Sequence, residues 1–177
     1  MSADSRREVP IVIETPVGEI AVEIEAGAAP ITAANFLSYV DAGSYDGGVF
    51  HRTVTMANQP NDAVKIEVIQ GGISADYPRT GEASIPLERT SVTGLRHLDG
   101  TISMARLSPD SANSGFFICI GDQPELDFGG RRNPDGQGFA AFGRVTSGMD
   151  VVRAIQQSPH EEQRLTPPVP ITRIRRA

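Results

Sequence analysis

The sequence consists of short runs of β-branched and aromatic residues, separated by segments rich in Gly and Pro. Runs of this length predict strands rather than helices. The first two runs, residues 11–15 and 19–25, indicate a hairpin that turns at residues 16–18, because "IAVEIE" in the second run alternates apolar with charged residues. The predicted strands cover residues 11–15, 19–25, 48–55, 64–70, 100–105, 116–120, 139–145 and 169–175.

Only two segments have helical spacing. The segment 30–43 begins with Pro, ends at Gly and repeats apolar residues every three to four positions. In "SGMDVVRAIQQ", Ser147 is a candidate N-cap, and Asp150 follows it three residues later as in a capping box. Eight predicted strands and two helices favour an all-β (mainly β) fold, a closed eight-stranded antiparallel barrel capped by two α-helices. A β-sandwich is the alternative.

The chain length of 177 residues fits one domain, which we assign to residues 1–177 with a flexible tail over residues 1–9. The formal net charge of −6 argues against nucleic acid and anionic lipid as partners. There is no run of about 18 apolar residues, so no membrane span is expected. The polar N-terminus predicts a cytoplasmic protein, or a periplasmic one if a signal peptide has been removed. We expect a monomer.

Most catalytic chemistries find no support in the sequence. The three histidines, His51, His97 and His160, lie far apart, so no metal site is predicted. No G-x-S-x-G nucleophile motif occurs. The only cysteine, Cys119, stands in the apolar run "FFICI", which predicts a buried and unreactive thiol. The remaining unusual feature is Arg52 in "VFHRTV", because a guanidinium is rarely placed in a half-buried strand without a partner or a task.

Several ordered blocks surround Arg52, namely "VFHR", "IQGG", "GTISMAR", "FFICI", "ELD" and "AAFGRVTSGMDVVRAI". Together they resemble the cyclophilins, the cyclosporin-sensitive peptidyl-prolyl cis-trans isomerases, and the last blocks are most similar to bacterial members. The resemblance covers nearly the whole chain. It implies the family's eight-stranded barrel with two helices, no cofactor and no metal.

The resemblance also implies the site residues. Arg52 and Gln70 are the expected catalytic pair, with Gln70 binding a substrate carbonyl and holding the guanidinium. The expected substrates are proline-containing peptides and folding or unfolded chains. The substrate-binding residues implied by the same blocks are Phe117, Leu126, Val68, Ala105 and Phe139.

The chain departs from the family pattern around this groove. The connection at residues 55–67 is longer than usual, and Glu67 stands where a pocket phenylalanine is expected. We therefore expect Met56 to fill that space, or the pocket to be incomplete. Other departures are Arg106 after "SMA", Gly115 before "FF", Glu125 before "LD" and Phe139 at the usual His or Tyr position.

Three functional hypotheses follow. The first is an isomerase that assists protein folding, which the presence of both Arg52 and Gln70 favours. The second is a catalytically weak proline-peptide binding or scaffolding module on the same fold. The third, a lipocalin-like barrel around an apolar ligand, fits poorly with large apolar residues on every strand. His51 is interpreted as structural, hydrogen-bonded within the barrel, and the adjacent Phe116 and Phe117 are expected on opposite faces of the sheet.

Overall fold

The structure of the protein is a computed structural model, which describes residues 7–77 and 83–177. Its helices are α1 (Pro30–Asp41), the one-turn α2 (Thr90–Thr93) and α3 (Met149–Gln156). The strands are β1 (Glu8–Thr15), β2 (Gly18–Glu25), β3 (Val49–Val54), β4 (Val68–Gly72), β5 (Thr101–Met104), β6 (Phe116–Cys119), β7 (Ala141–Ser147), β8 (His160–Glu161), β9 (Arg164–Pro170) and β10 (Arg173–Arg176).

All ten strands belong to one antiparallel sheet, in the order β10-β1-β2-β7-β5-β6-β4-β3-β9-β8. The hydrogen-bonded order is open, but the two-residue segment 171–172 connects β9 to β10 and brings β3 and β1 together. Ile171 N–H donates to Gly48 O at 2.7 Å beside β3, and Thr172 N–H donates to Glu14 O in β1 at 2.8 Å. The C-terminal segment thus pairs first with β3, as β9, and then with β1, as β10.

The predicted mainly-β barrel is confirmed, with differences in detail. The single strand expected at residues 169–175 is bent into β9 and β10. If these count as one strand and the short β8 is left out, eight strands enclose the interior. β8 is a short addition to β9. The predicted tail falls partly in β1, which begins at Glu8, whereas residues 1–6 lie outside the described residues.

Aromatic rings fill the barrel interior. Phe116 from β6 packs at 5.6 to 5.8 Å between ring centroids against Phe36, Tyr45 and Phe50, in edge-on geometry. Phe142 lies 5.1 Å from Phe36. Fully buried rings in these arrangements add favourable contacts to the burial of apolar area. The interior is therefore a packed core rather than a ligand cavity of the lipocalin kind.

The two longer helices each bury one apolar face against this core. In α1 the buried side chains include Phe36, Leu37 and Val40, and in α3 they include Val152 and Ile155. Both helices were predicted, and α2 was not. Among the described residues, no helix is both long and apolar enough to cross a membrane.

Candidate active site

A second apolar cluster lies on the outer face of the barrel, separate from the interior core. Its buried members come from β3, β4, β6, the 3₁₀ turn Pro124–Leu126 and, with Ile66, the segment that precedes β4. This cluster forms the floor of a groove of about 330 Å³. The groove is lined by Arg52, Ile66, Val68, Gln70, Ala105, Arg106, Leu107, Phe117, Leu126, Arg132, Asn133 and Phe139.

A β-bulge directs Arg52 into this groove. Phe50 pairs with Gly71 and Arg52 pairs with Gln70, so His51 is an extra residue without a partner in β4. In a regular strand, residues two apart share a face. Because the bulge adds one residue, Phe50 points into the core while Arg52 points outwards.

Arg52 and Gln70 begin a row of outward side chains that crosses four strands. Gln70 lies opposite Phe117, and Phe117 lies opposite Ser103. Arg52 Nη1 donates to Gln70 Oε1 at 2.8 Å. Burial lowers the pKa of the Arg52 guanidinium, and the nearby charge of Arg132 lowers it further. An arginine starts so far above neutrality that it remains a cation at physiological pH.

The structure brings seven of the eight predicted site residues into this groove. They are Arg52, Gln70, Val68, Ala105, Phe117, Leu126 and Phe139. The exception is Met56, whose side chain is 56% exposed and does not line the groove. Ile66, which is 6% exposed, lines the groove where Met56 was expected. The apolar lining of the groove therefore does not depend on Met56.

Gln59 in the long insert explains the position of Ile66. Its side-chain amide donates to Ile66 O at 2.6 Å and accepts from Ile66 N–H at 3.2 Å. An amide that satisfies both backbone groups takes the place of a neighbouring strand at Ile66. For this reason β4 begins at Val68 rather than at residue 64 as predicted.

A buried polar chain supports Phe117 from below. His97 Nδ1 lies 2.7 Å from Asp127 Oδ1, and His97 Nε2 lies 2.8 Å from Ser103 Oγ. Burial alone would raise the pKa of Asp127, but hydrogen bonds from the His97 ring and backbone bring it below its ordinary value. The His97 ring stacks on Phe117 at 6.0 Å between centroids.

Asp127, His97 and Ser103 are the residue types of a hydrolase triad, but here they have a structural role. Ser103 is 0% exposed and His97 is 1% exposed, so no substrate carbonyl can reach the serine hydroxyl. The chain of hydrogen bonds instead fixes the ring on which Phe117 rests. Because Asp127 follows Leu126, the same bonds also hold the turn that supplies Leu126 to the groove.

Two further arginines tie the long loops to the groove. Arg106 forms a bidentate ion pair with Asp135 at 2.9 and 3.0 Å, and its guanidinium lies 4.7 Å from the centre of the Phe139 ring. Arg132 Nη1 donates to Gln59 Oε1 and Val64 O, both at 2.8 Å. The loop 122–138 is therefore fastened to the insert 55–67 across one side of the groove.

His51 does not have the expected interior position. The bulge leaves it exposed on the outer surface, and no described residue forms a hydrogen bond with its imidazole. Partial desolvation, together with the charge of Arg52, lowers the pKa of His51 below its ordinary value. The ring is therefore neutral at neutral pH and adds no second cation beside Arg52.

The family model for "Cyclophilin type peptidyl-prolyl cis-trans isomerase/CLD" matches residues 10–176. The chain belongs to the cyclophilin family. Among curated cyclophilins, peptidyl-prolyl cis-trans isomerase cyp18 of Streptomyces antibioticus is 37% identical over 145 residues, which cover 81% of each chain. Peptidyl-prolyl cis-trans isomerase A of Dickeya dadantii is 38% identical over 83% of this chain and 70% of its own.

The cyclophilin fold is also found in the structural comparison. A crystal structure of a cyclophilin-type isomerase from Cryptosporidium parvum superposes with a TM-score of 0.76 at 20% identity, covering 97% of this chain and 98% of that chain. A second structure of the same protein was determined in the presence of the dipeptide Ala-Pro and has a TM-score of 0.75, covering 95% of this chain. Identity at this level shows the shared fold.

The sequence did not reveal several residues that shape this cyclophilin groove. Gln163 contacts Arg52 from a loop 111 positions away, and neither spacing nor residue type indicated it. The sequence does not indicate a buried position or polar partners for His97, and no group of metal-ligating side chains occurs in the described part of the chain. Burial raises the pKa of the Cys119 thiol, so it stays protonated and is a poor nucleophile.

Proposed function

We propose that the groove catalyses cis-trans isomerisation of X-Pro peptide bonds. The observation that carries the proposal is a charged donor held by neutral amides beside a buried apolar floor. Phe117 and Leu126 supply that floor, at 5% and 1% exposure. The volume and lining of the groove suit a prolyl ring with its flanking backbone.

The expected mechanism follows from the bond that must rotate. Rotation breaks amide resonance at a cost of about 20 kcal/mol and returns a lone pair to the prolyl nitrogen. Arg52 makes three hydrogen bonds with its five N–H groups, which leaves two for substrate. A donor directed at the twisted nitrogen binds the transition state more strongly than either planar isomer, which is the condition for catalysis.

Other groove atoms are suited to align the peptide. No described residue accepts a hydrogen bond from Gln70 Nε2, so this amide can bind a substrate carbonyl while its oxygen holds Arg52. Ala105 N–H donates to Gly115 O at 3.0 Å, which leaves the Ala105 carbonyl for a substrate N–H. The arrangement positions the bond without proton transfer or covalent chemistry.

The required rate enhancement is consistent with separate contributions from Arg52, the apolar floor and the groups that align the peptide. Raising a rate of about 0.01 per second by about five orders of magnitude requires roughly 7 kcal/mol. One charged hydrogen bond contributes roughly 1.5 to 3 kcal/mol. The remainder must come from the desolvated floor and from fixing the peptide on both sides of the bond.

The direct test is an isomerisation assay on an X-Pro peptide, coupled to a protease that cleaves only the trans form. We expect catalytic amounts of the protein to accelerate the slow phase. Acceleration of proline-limited refolding of a protein substrate would support a role in folding. A protein that binds the peptide but leaves both slow phases unchanged would instead be the scaffolding module.

We further propose that the protein acts as a monomer on exposed X-Pro bonds of folding or unfolded chains in the cytoplasm. The net charge of −6 supports a protein rather than a nucleic acid partner. Light scattering tests the monomer, and fractionation of the native host tests the compartment.

The pH profile is expected to be flat, because no group that contacts the substrate titrates near neutrality. Arg52 remains charged despite its lowered pKa, and the lowered pKa of His51 keeps that ring neutral. We predict that kcat/KM changes less than about twofold between about pH 7 and pH 9. Any decline in kcat/KM is expected at pH values below this range, where His51 becomes protonated. A bell-shaped profile inside this window would point to proton transfer and contradict the mechanism.

Cyclosporin is expected to inhibit weakly. Glu125 stands where the family often has Trp or Phe, and its carboxylate accepts from Arg131 Nε at 2.8 Å in an exposed ion pair. This pair offers no apolar surface to the inhibitor. We predict that Glu125→Trp lowers the inhibition constant by at least about tenfold, through added apolar contact. Nanomolar inhibition of the unmodified protein in the peptide assay would show that this position is misinterpreted.

A further inference from the structure

Arg52 is held from two sides, and only one of them is the groove. Gln70 binds Nη1 from the groove side. On the opposite edge, Gln163 Oε1 accepts from Nε at 3.0 Å and from Nη2 at 2.8 Å. Gln163 lines a separate, more open cleft of about 730 Å³, not the groove with the apolar floor. It therefore reaches the reaction only through Arg52.

The orientation of the Gln163 amide is determined by its other partner. Gln163 Nε2 donates to the backbone carbonyl of Asn58 at 3.2 Å. A carbonyl can only accept, so the nitrogen must face Asn58 and the oxygen must face the guanidinium. The backbone of Gln163 is also fixed, because its carbonyl accepts from Thr53 N–H at 2.8 Å, next to Arg52 in β3.

Asn58 connects this support to the long insert. Its side-chain nitrogen donates to Thr53 O at 2.9 Å and to Glu162 O at 3.0 Å, and its side-chain oxygen accepts from Thr55 N–H at 2.8 Å. One side chain thus joins the insert, the end of β3 and the residue that precedes Gln163. Glu162 has a positive φ of 56°, so this tight turn directs Gln163 towards Arg52.

We propose that Gln163 is a positioning residue for Arg52, and that the 55–67 insert serves to hold it through Asn58. This inference rests on the proposed isomerase function for its kinetic consequences, though not for its structural ones. An unrestrained arginine samples many rotamers, and each productive encounter would have to order it again. Because Gln163 Oε1 accepts from both Nε–H and Nη2–H, the other N–H groups of Arg52 are directed at the groove before substrate binds.

The test compares Gln163→Leu with Gln163→Glu. Leucine fills similar space without an acceptor, so we expect kcat to fall about tenfold with KM nearly unchanged, because the peptide does not contact this residue. Glutamate keeps acceptor oxygens for the guanidinium but loses the bond to Asn58 O, so it is expected to recover part of the lost kcat. Asn58→Ala should act in the same direction with a smaller effect. Gln157→Leu, at an exposed glutamine beyond α3, is the matched control and should leave the kinetics unchanged.

A spectroscopic readout separates positioning from activity. The Arg52 Nε–H resonance, assigned by its loss in Arg52→Lys, should be protected from solvent exchange in the unmodified protein and in Gln163→Glu. In Gln163→Leu that protection should disappear while the fold, followed by circular dichroism, is retained. This result supports the inference even if no isomerase activity is found. A protected Arg52 resonance in Gln163→Leu, or a loss that appears in KM alone, would overturn it.

Discussion

Replacing Arg52 with alanine is expected to lower kcat/KM for an X-Pro peptide by at least about 100-fold. The change removes the charged donor that the proposed mechanism directs at the prolyl nitrogen, and a charged hydrogen bond of roughly 3 kcal/mol corresponds to a little over two orders of magnitude in rate. The apolar floor remains, so peptide binding should weaken much less than turnover. The protease-coupled assay measures kcat/KM, and peptide titration measures binding.

The fold should survive this substitution. Gln70 and Gln163 are both half-buried, so water can replace the guanidinium they bind, and the free energy of unfolding should change by less than about 1 kcal/mol. Arg144→Ala is the matched control, because Arg144 is 54% exposed on β7 and pairs with Glu23 outside the groove. If folded Arg52→Ala keeps the full rate, or if Arg144→Ala loses as much, Arg52 is not the catalytic donor.

The second large effect is expected in the adjacent pair Phe116 and Phe117. Phe116 is 0% exposed and contacts three rings in the barrel interior, so Phe116→Ala should reduce the free energy of unfolding by about 3 to 5 kcal/mol. Phe117→Ala removes the groove floor instead. It should raise KM markedly and cost less stability, because its cavity opens to the groove.

Chemical denaturation and peptide titration measure the two effects side by side. Phe128→Ala, at a ring that is 46% exposed, controls for loss of an aromatic side chain and should change stability by less than about 1 kcal/mol. Equal loss of stability in Phe116→Ala and Phe128→Ala would contradict the assignment of the core. An unchanged KM in Phe117→Ala would contradict the assignment of the groove.

Runs of β-branched and aromatic residues predicted most of the strands, but not β8 or the first part of β9. Period two correctly predicted the opposite faces of Phe116 and Phe117, because side-chain direction alternates in any strand. It could not predict the bulge at His51. No residue in "VFHRTV" indicates an extra position, and regular alternation would place Phe50 and Arg52 on one face. Arg52 was noticeable as a guanidinium in a strand with a half-buried pattern, and the resemblance to cyclophilins supplied its expected role.

Local signals also failed where tertiary contacts decide the geometry. Ser147 does not cap α3, since β7 extends through it and the helix begins after Gly148, whose φ is 99°. A Cβ at Gly148 would lie 2.5 Å from Glu19 O, so glycine is required by a strand that the local sequence does not show. The prediction that Met56 fills the pocket was wrong for a similar reason. Gln59 binds the backbone of Ile66 and places Ile66 in the groove wall instead.

NMR exchange spectroscopy on a short Ala-Pro peptide tests the central claim most directly, because it observes binding and isomerisation in the same sample. With the unmodified protein, cis and trans resonances should exchange many times per second, and the shifted protein signals should include Phe117 and Leu126 on the groove floor. Slow exchange together with clear shifts at those two residues would contradict the account, since the groove would then bind proline without turning it over.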